Sequence, residues 1–375
     1  MANARFKLGD IEINVAGDAE TLRRESEAFY GLVGRAMSGN IIAQEKANTT
    51  EVIVNVPQKE PGIKEDVVAI YDDAGIPSIM RRFTKVTNKD LFGGSEKVHP
   101  AFIVGDKEYD EIFISVYENC EIGGKPYSLP HTKPWTSITN DDAAKACFSK
   151  GAGWHLMTAA EWGLVANLCL KNGTMPHGNT SSGSYHGDKN EKGVLIPGSS
   201  CITLTGSGPA TWTHNHQPDG LHDLCGNVWE MVRGFRMKDG KPQYIKNNNA
   251  ALDIDISENS ENWEDFRTTD GDEIYVDARS GVRFTDDIDE AGGYNGTRWS
   301  AVEMDIDIPE EMKELAIYNG EENAYCYLDA SEGEYFAFRG GGWGSGSGAG
   351  VFFLGGFGER SNTGTGLGFR SAYYR

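Results

Sequence analysis

Three histidines in one loop, His214, His216 and His222, and six cysteines, Cys120, Cys147, Cys169, Cys201, Cys225 and Cys326, are the residues of this 375-residue chain best suited to hold a metal or attack a bond. Two imidazoles at i and i+2 with a third six residues on could face zinc, but histidines spread through a loop more often pack or meet solvent, and no metal is assigned to them. The cysteines lack paired metal spacing and read as small buried apolar side chains. Asp270, Asp272 and Glu273 could offer oxygens to Ca²⁺ without the full spacing of an EF-hand loop. They read as a solvated acidic loop, with Ca²⁺ the one cofactor left open. Asn227, Glu230, Arg339 and Arg370 stand among aromatics, where burial would oblige each to find partners.

The elements that must position these residues begin after a compositional border. All eight Trp, all six Cys and all eight His lie beyond residue 98, and a chain of this length suits two unequal parts. We place the border at residue 67. Residues 1–67 form a small N-terminal α+β region for attachment or oligomerisation: a short strand at 5–15, an amphipathic helix carrying Leu22, Ala28, Phe29, Leu32 and Met37, an extended segment at 50–56, and a linker at Pro57, Pro61 and Gly62.

From residue 68 to 375 the pattern is short strands with turn punctuation. AFIVGDKEYDEIFISVYENC alternates about a Gly105-Asp106 turn and predicts a hairpin. Two helices follow, one opened by Thr139 before AAKACFSKG, the other by a capping box in which Thr158 precedes Glu161 by three residues, closed by Gly173. Trp162, Leu164, Val165 and Leu168 give the second helix a wide apolar face. Trp229 follows a Gly226-Asn227 turn able to take left-handed backbone angles. The acidic stretch 253–290 reads as a loop-rich insertion.

Lys and Arg number 35 against 56 Asp and Glu, a formal charge of −21, so nucleic acid and anionic lipid would be repelled. The opening residues contain no apolar run of signal-peptide length, and no segment approaches the roughly 18 apolar residues of a membrane span. Synthesis in the bacterial cytoplasm, without a signal peptide or membrane insertion, is the expectation.

Three segments carry a resemblance. GWHLMTAAEWGLVANL at 153–168, PDGLHDLCGNVWEMV at 218–232 and FRGGGWGSGSGAGVFFLGGFGERSNTGTGLGFRSAYYR at 338–375 resemble, in order and spacing, the motifs of the formylglycine-generating-enzyme family. The resemblance implies an α+β C-type-lectin-like fold of that type, loop-rich, with short strands and two main helices. The enzymes of the family bind copper through paired cysteines near the chain end. The closing segment here has no Cys, Cys326 stands alone upstream, and one thiol cannot form a two-thiolate site.

That closing segment is similar instead to the variable region, here 339–372, of diversity-generating retroelement proteins, which include phage tropism determinants. In them, template Asn codons are rewritten at adenines, so ligand-contacting positions change while the scaffold does not. The resemblance places the exchangeable, ligand-binding positions at Gly344, Ser345, Gly348, Phe353, Gly355, Phe357, Gly358, Gly364, Thr365 and Gly366, with Phe353 and Phe357 as the main apolar contacts. It places the scaffold at Trp343, Phe352, Leu354, Arg360, Phe369 and Arg370. Gly342 and Glu359 depart from the usual Ser and Ala. Thirteen of the 47 glycines fall between 340 and 368, yet Trp343, Val351, Phe352, Leu354, Leu367 and Phe369 recur as anchors that a flexible tail would not need. Trp343, Phe352, Leu354 and Phe369 are expected to point inward.

What the resemblance implies is a binding protein without catalysis or cofactor, carried on a phage tail or fibre, recognising a host-cell surface protein or glycan, and homo-oligomeric, as a trimer at a fibre tip. An oxygenase or sulfatase-activating enzyme on the same fold, and a cellular surface adhesin of the same retroelement type, stay open as alternatives.

Overall fold

The computed structural model describes residues 66–375 apart from residue 73 and, before them, the backbone of four strands. Of these, β1 (Ala2–Leu8) and β2 (Ile11–Gly17) pair antiparallel where one strand is expected, and β3 (Asn40–Lys46) pairs with β4 (Thr49–Asn55), the extended segment. The expected helix at 22–37 and the linker at Pro57, Pro61 and Gly62 lie outside the described residues. Next come β5 (Asp66–Tyr71) and β6 (Pro77–Thr84), a two-residue hairpin of β7 (Ile103–Val104) and β8 (Lys107–Glu108), then β9 (Glu111–Ser115), a second hairpin of β10 (Cys120–Ile122) and β11 (Lys125–Tyr127), and β12 (Trp154–Leu156).

The Gly105-Asp106 turn is present but its hairpin is short. Ile112, Phe113 and Ile114 leave it to pair with β6, because a strand this apolar gains more by burial on both faces of a larger sheet. The residue-68 border falls within β5, which pairs with β4 on one side and β6 on the other.

The second half supplies β13 (Trp229–Lys238), β14 (Lys241–Ile245), β15 (Trp263–Asp265), β16 (Tyr275–Ala278), β17 (Arg283–Thr285), β18 (Gly292–Arg298), β19 (Glu303–Met304), β20 (Tyr325–Asp329), β21 (Glu334–Gly340), β22 (Gly350–Gly358), β23 (Leu367–Phe369) and β24 (Ser371–Tyr374). One sheet runs β12-β24-β9-β6-β5-β4-β3. The other runs β15-β14-β13-β21-β22-β20-β18-β16-β17-β19, with β23 added parallel to β13. The acidic stretch 253–290 is therefore not loop alone: it carries β15, β16 and β17. The fold is α+β.

Helices are few among the described residues: α1 (Asn88–Phe92), α2 (Asn140–Phe148), α3 (Ala159–Asn172) and α4 (Glu310–Glu314). The two longer ones begin where their caps predict. Thr139 accepts from the Asp142 amide, and at α3 Thr158 and Glu161 cap each other reciprocally while Gly173 closes the helix at φ 65°. Every residue of α3 from Ala159 to Cys169 is buried, because β13, α1 and α4 surround it. At Gly163 a Cβ would stand 1.9 Å from the Glu314 carbonyl oxygen, so only glycine admits α4 this close.

Arg370 sits between β23 and β24 and so at the crossing from one sheet to the other. Wholly buried, its guanidinium donates to both oxygens of Glu230 on β13 at 2.6 and 2.5 Å, to the Ser115 carbonyl on β9 at 3.0 Å and to the His222 carbonyl at 2.9 Å. Two further buried carboxyls, Glu118 and Asp223, lie close enough to act on its charge. Glu118 accepts from Asn227 Nδ2 at 2.7 Å. Burial pushes the Glu118 carboxyl well above its usual range, and the negative charges of Asp223 and Glu230 push it further against the pull of Arg370.

Two outcomes are expected. Arg370→Met leaves Glu230 buried and unpaired and costs about 3–5 kcal/mol, part of which Arg370→Met with Glu230→Leu regains in urea melts. A carboxyl raised in the folded state stabilises it below the ordinary carboxylate pKa and loses that contribution as pH rises through the folded value. Glu118→Gln, which cannot ionise, is therefore expected to melt higher than the parent above neutral pH, with the difference gone below about pH 4.

Candidate functional site

The closing segment builds a cleft of about 570 Å³. Its floor is apolar: Trp229 at the start of β13, Phe338 on β21, Phe357 on β22 and Leu367 on β23. One rim is the loop between β21 and β22, through Gly342, Trp343, Gly344 and Ser345. The other is the loop between β22 and β23, from Asn362 to Gly366. No lining residue is charged, although the chain is strongly acidic.

Both rims are held by main-chain bonds to neighbouring loops. The Trp343 amide donates to the Asn227 carbonyl at 2.9 Å, and the Ser182 amide to the Trp343 carbonyl at 2.9 Å. Gly346 bonds the Thr180 carbonyl at 3.0 Å. On the far rim, the amides of Ser137 and Trp229 bond the carbonyls of Gly364 at 3.0 Å and Gly366 at 2.8 Å. The Gly226-Asn227 turn that anchors the near rim has the left-handed angles its sequence predicts, φ 79° and 58°. Arg360 anchors the second loop by side chain, reaching Asp141 at 3.0 Å, Glu334 at 3.0 Å and the Ile256 carbonyl at 2.9 Å. A bond through the backbone is indifferent to the side chain it carries, so these loops can keep their shape while most of their side chains change; the exception is Ser345, whose hydroxyl accepts from the Gly342 amide at 2.9 Å and from Trp229 Nε1 at 3.4 Å.

Beneath them β22 is clamped from the core side. Trp162 Nε1 donates to the Val351 carbonyl at 2.8 Å and Trp299 Nε1 to the Phe352 carbonyl at 2.7 Å, with Phe352, Leu354 and Phe369 fully buried. Those three anchors point inward as expected. Trp343 does not: it is 37% exposed on the rim, because its backbone is pinned to Asn227 while its ring overhangs the cleft.

The ten exchangeable positions divide. Gly344, Ser345, Phe357, Gly364, Thr365 and Gly366 line the cleft; Gly348, Phe353, Gly355 and Gly358 do not. A Cβ at Gly344 would meet nothing within 4 Å, and those at Gly364 and Gly366 would make ordinary contacts. At Gly358 a Cβ would fall 2.3 Å from the Phe338 ring, at Gly348 2.3 Å from Tyr325, and at Gly355 2.6 Å from Phe357 and 3.1 Å from Phe353. Phe353 is not the exposed contact expected of it. It is 5% exposed, stacked against Trp229 with centroids 6.1 Å apart, because Gly355 leaves a gap that draws the Phe353 and Phe357 rings over the strand.

Six lining residues were not among the site residues read from the sequence: Trp229, Phe338, Gly342, Asn362, Thr363 and Leu367. Trp229 had a signal, its place two residues after a left-handed turn, and Leu367 had one as a recurring apolar anchor; Phe338, Asn362 and Thr363 had none. The three loop histidines part company. His214 accepts from the Leu221 amide through Nδ1, His216 meets the Met175 carbonyl through Nε2, and His222 stacks on Tyr117. Among the described residues no three His, Cys, Asp or Glu are placed to hold a metal. Glu273 is occupied by Lys241, Tyr275 and Arg267, and the Lys241 ammonium foremost holds its carboxyl down to about 2. Cys326 is buried on β20, and burial pushes its thiol up.

Among the described residues no helix is long and apolar enough to cross a membrane. No protein family and no curated protein matches the chain. The solved structures that align with it include the Major Tropism Determinant U1 variant and the Major Tropism Determinant M1 variant, each at 11% identity over 89% of this chain and 85% of its own length, with a TM-score of 0.32.

Proposed function

We propose that this chain is a retroelement-diversified ligand-binding protein of a phage tail, that the cleft above β13, β21, β22 and β23 receives a host-surface ligand, and that the protein performs no catalysis. The carrying observation is convergence: six positions picked out as exchangeable from sequence alone line one cleft. Chain separation does not require that, since Gly344 and Thr365 stand on different loops. Clefts of this size suit small molecules or protruding side chains, and an aromatic floor under small adaptable residues is the composition of recognition loops. The backbone pinning of both rims supports the same reading, because a diversified site must keep its shape through each exchange. A trimer at a fibre tip would add avidity to a modest single site.

On this reading the variable set is smaller than ten in this copy. Gly364→Tyr and Gly344→Asp are expected to melt within about 0.5 kcal/mol of the parent while changing which cells of a bacterial panel bind the protein. Gly358→Ala is expected to lose about 1–3 kcal/mol, since the Phe338 ring must move. Phe357→Ala should weaken binding to a cognate strain by about 2 kcal/mol without unfolding. If Gly364→Tyr and Phe357→Ala both leave cell binding as it was, the cleft is not the recognition site.

A further inference from the structure

Residues outside the closing segment continue the floor of the cleft. Register places Met231, Phe338, Gly355, Tyr327 and Gly296 in one cross-strand row over β13, β21, β22, β20 and β18, so their side chains share a face. Beside that row Phe357 touches Tyr327, and Tyr327 touches Tyr294, with ring centroids 5.1 and 4.9 Å apart in edge-to-face geometry. Gly296 makes this possible, since a Cβ there would lie 2.0 Å from the Tyr327 ring. The strip ends in Tyr294, which is 52% exposed and so continues the apolar floor of the cleft to solvent.

Charge tells what could cover it. Residues 253–334, which contain β18 and β20, hold 25 Asp and Glu against five Lys and Arg. Asp329 is the cross-strand partner of Tyr294, and Glu359 is exposed directly after the end of β22, two residues beyond Phe357. Neither carboxylate has an ion pair among the described residues; Arg283, Arg279 and Lys241 pair with Asp277, Glu290, Asp305, Asp265 and Glu273, which leaves most of the acid in this stretch, Asp329 included, without a cation. A partner lying over Tyr294 would take Asp329 out of water. A neutral or anionic partner would leave that cost unmet, and a cation would offset it while also meeting the ring faces.

We propose that the recognition surface extends from the cleft along Phe357, Tyr327 and Tyr294 to Asp329 and Glu359, and that its partner is a basic protein segment with an apolar side chain in the cleft and a Lys or Arg over Tyr294. This rests on the cleft being the binding site.

The test uses three probes with the full chain: the amide of Lys-Gly-Trp-Gly-Lys, its Glu-Gly-Trp-Gly-Glu counterpart, and a neutral N-acetylglucosamine trisaccharide. NMR reads the Trp343 indole for the cleft and the Tyr294 and Asp329 amides for the extension. The lysine peptide is expected to shift all three signals and to bind at least ten-fold tighter than the glutamate peptide at low salt, the gap narrowing as salt rises. Tyr294→Ala and Asp329→Asn should each weaken it several-fold with unchanged melting temperature. Equal binding of the two peptides, or no effect of Tyr294→Ala where Trp343→Ala abolishes binding, overturns the extension and leaves the cleft standing. Tighter binding of the trisaccharide overturns the partner class. If no probe shifts the Trp343 indole, the cleft reading fails and the extension with it.

Discussion

One buried ion pair holds the two sheets to each other. β23 belongs to the larger sheet and β24 to the smaller, and the single residue between them is Arg370. A charge with no exposure is tolerable only when each donor is met, and here the partners come from β13, from β9 and from the loop at His222. The neighbouring Glu118 relieves the excess of carboxylates through its raised pKa, and through Asn227 it joins the turn that pins the rim of the cleft. The interior electrostatics and the surface site are in that sense one construction.

Above this core, rigidity and variability are kept largely in separate atoms. The carbonyls and amides of the two rims bond to loops at 137, 180, 182 and 227, and indole nitrogens of Trp162 and Trp299 hold β22 from below. Ser345 is the exception among the exchangeable positions: its hydroxyl accepts from the Gly342 amide at 2.9 Å and from Trp229 Nε1 at 3.4 Å. A binding surface that must stay in place while its chemistry changes needs such a division, since ordering loops at the moment of binding would cost affinity.

Glycine has two meanings in the closing segment. At 344, 364 and 366 it leaves room facing the cleft; at 355 and 358 it leaves room that aromatic rings have already filled. The second kind explains why this copy lays Phe353 and Phe357 against its own sheet and why the aromatic floor runs on toward Tyr327. Acid is likewise partitioned: Arg236, Arg360 and Arg370 neutralise the carboxylates they bury beside, whereas Asp329 and Glu359 are left to solvent at the edge of the strip.

Local features were legible in the sequence because their causes are local. The capping box of Thr158 and Glu161, the cap at Thr139, the left-handed turn at Gly226 and Asn227, and the inward anchors Phe352, Leu354 and Phe369 follow from residue type within a few positions. What only the tertiary structure decided depends on atoms distant in the chain. Phe353 and Phe357 stand on one strand and both meet Trp229, yet the first is buried while the second opens to the cleft. Trp343 reads as a core residue until its amide is found tied to Asn227, which leaves its ring outside. The apolar arm at 112–114 reads as half of a hairpin until β6 offers it a fully buried place. Patterning sets which side chains are apolar; which of them reach solvent is settled by the neighbours that arrive from elsewhere, because burial is a property of the packed surface and not of the residue.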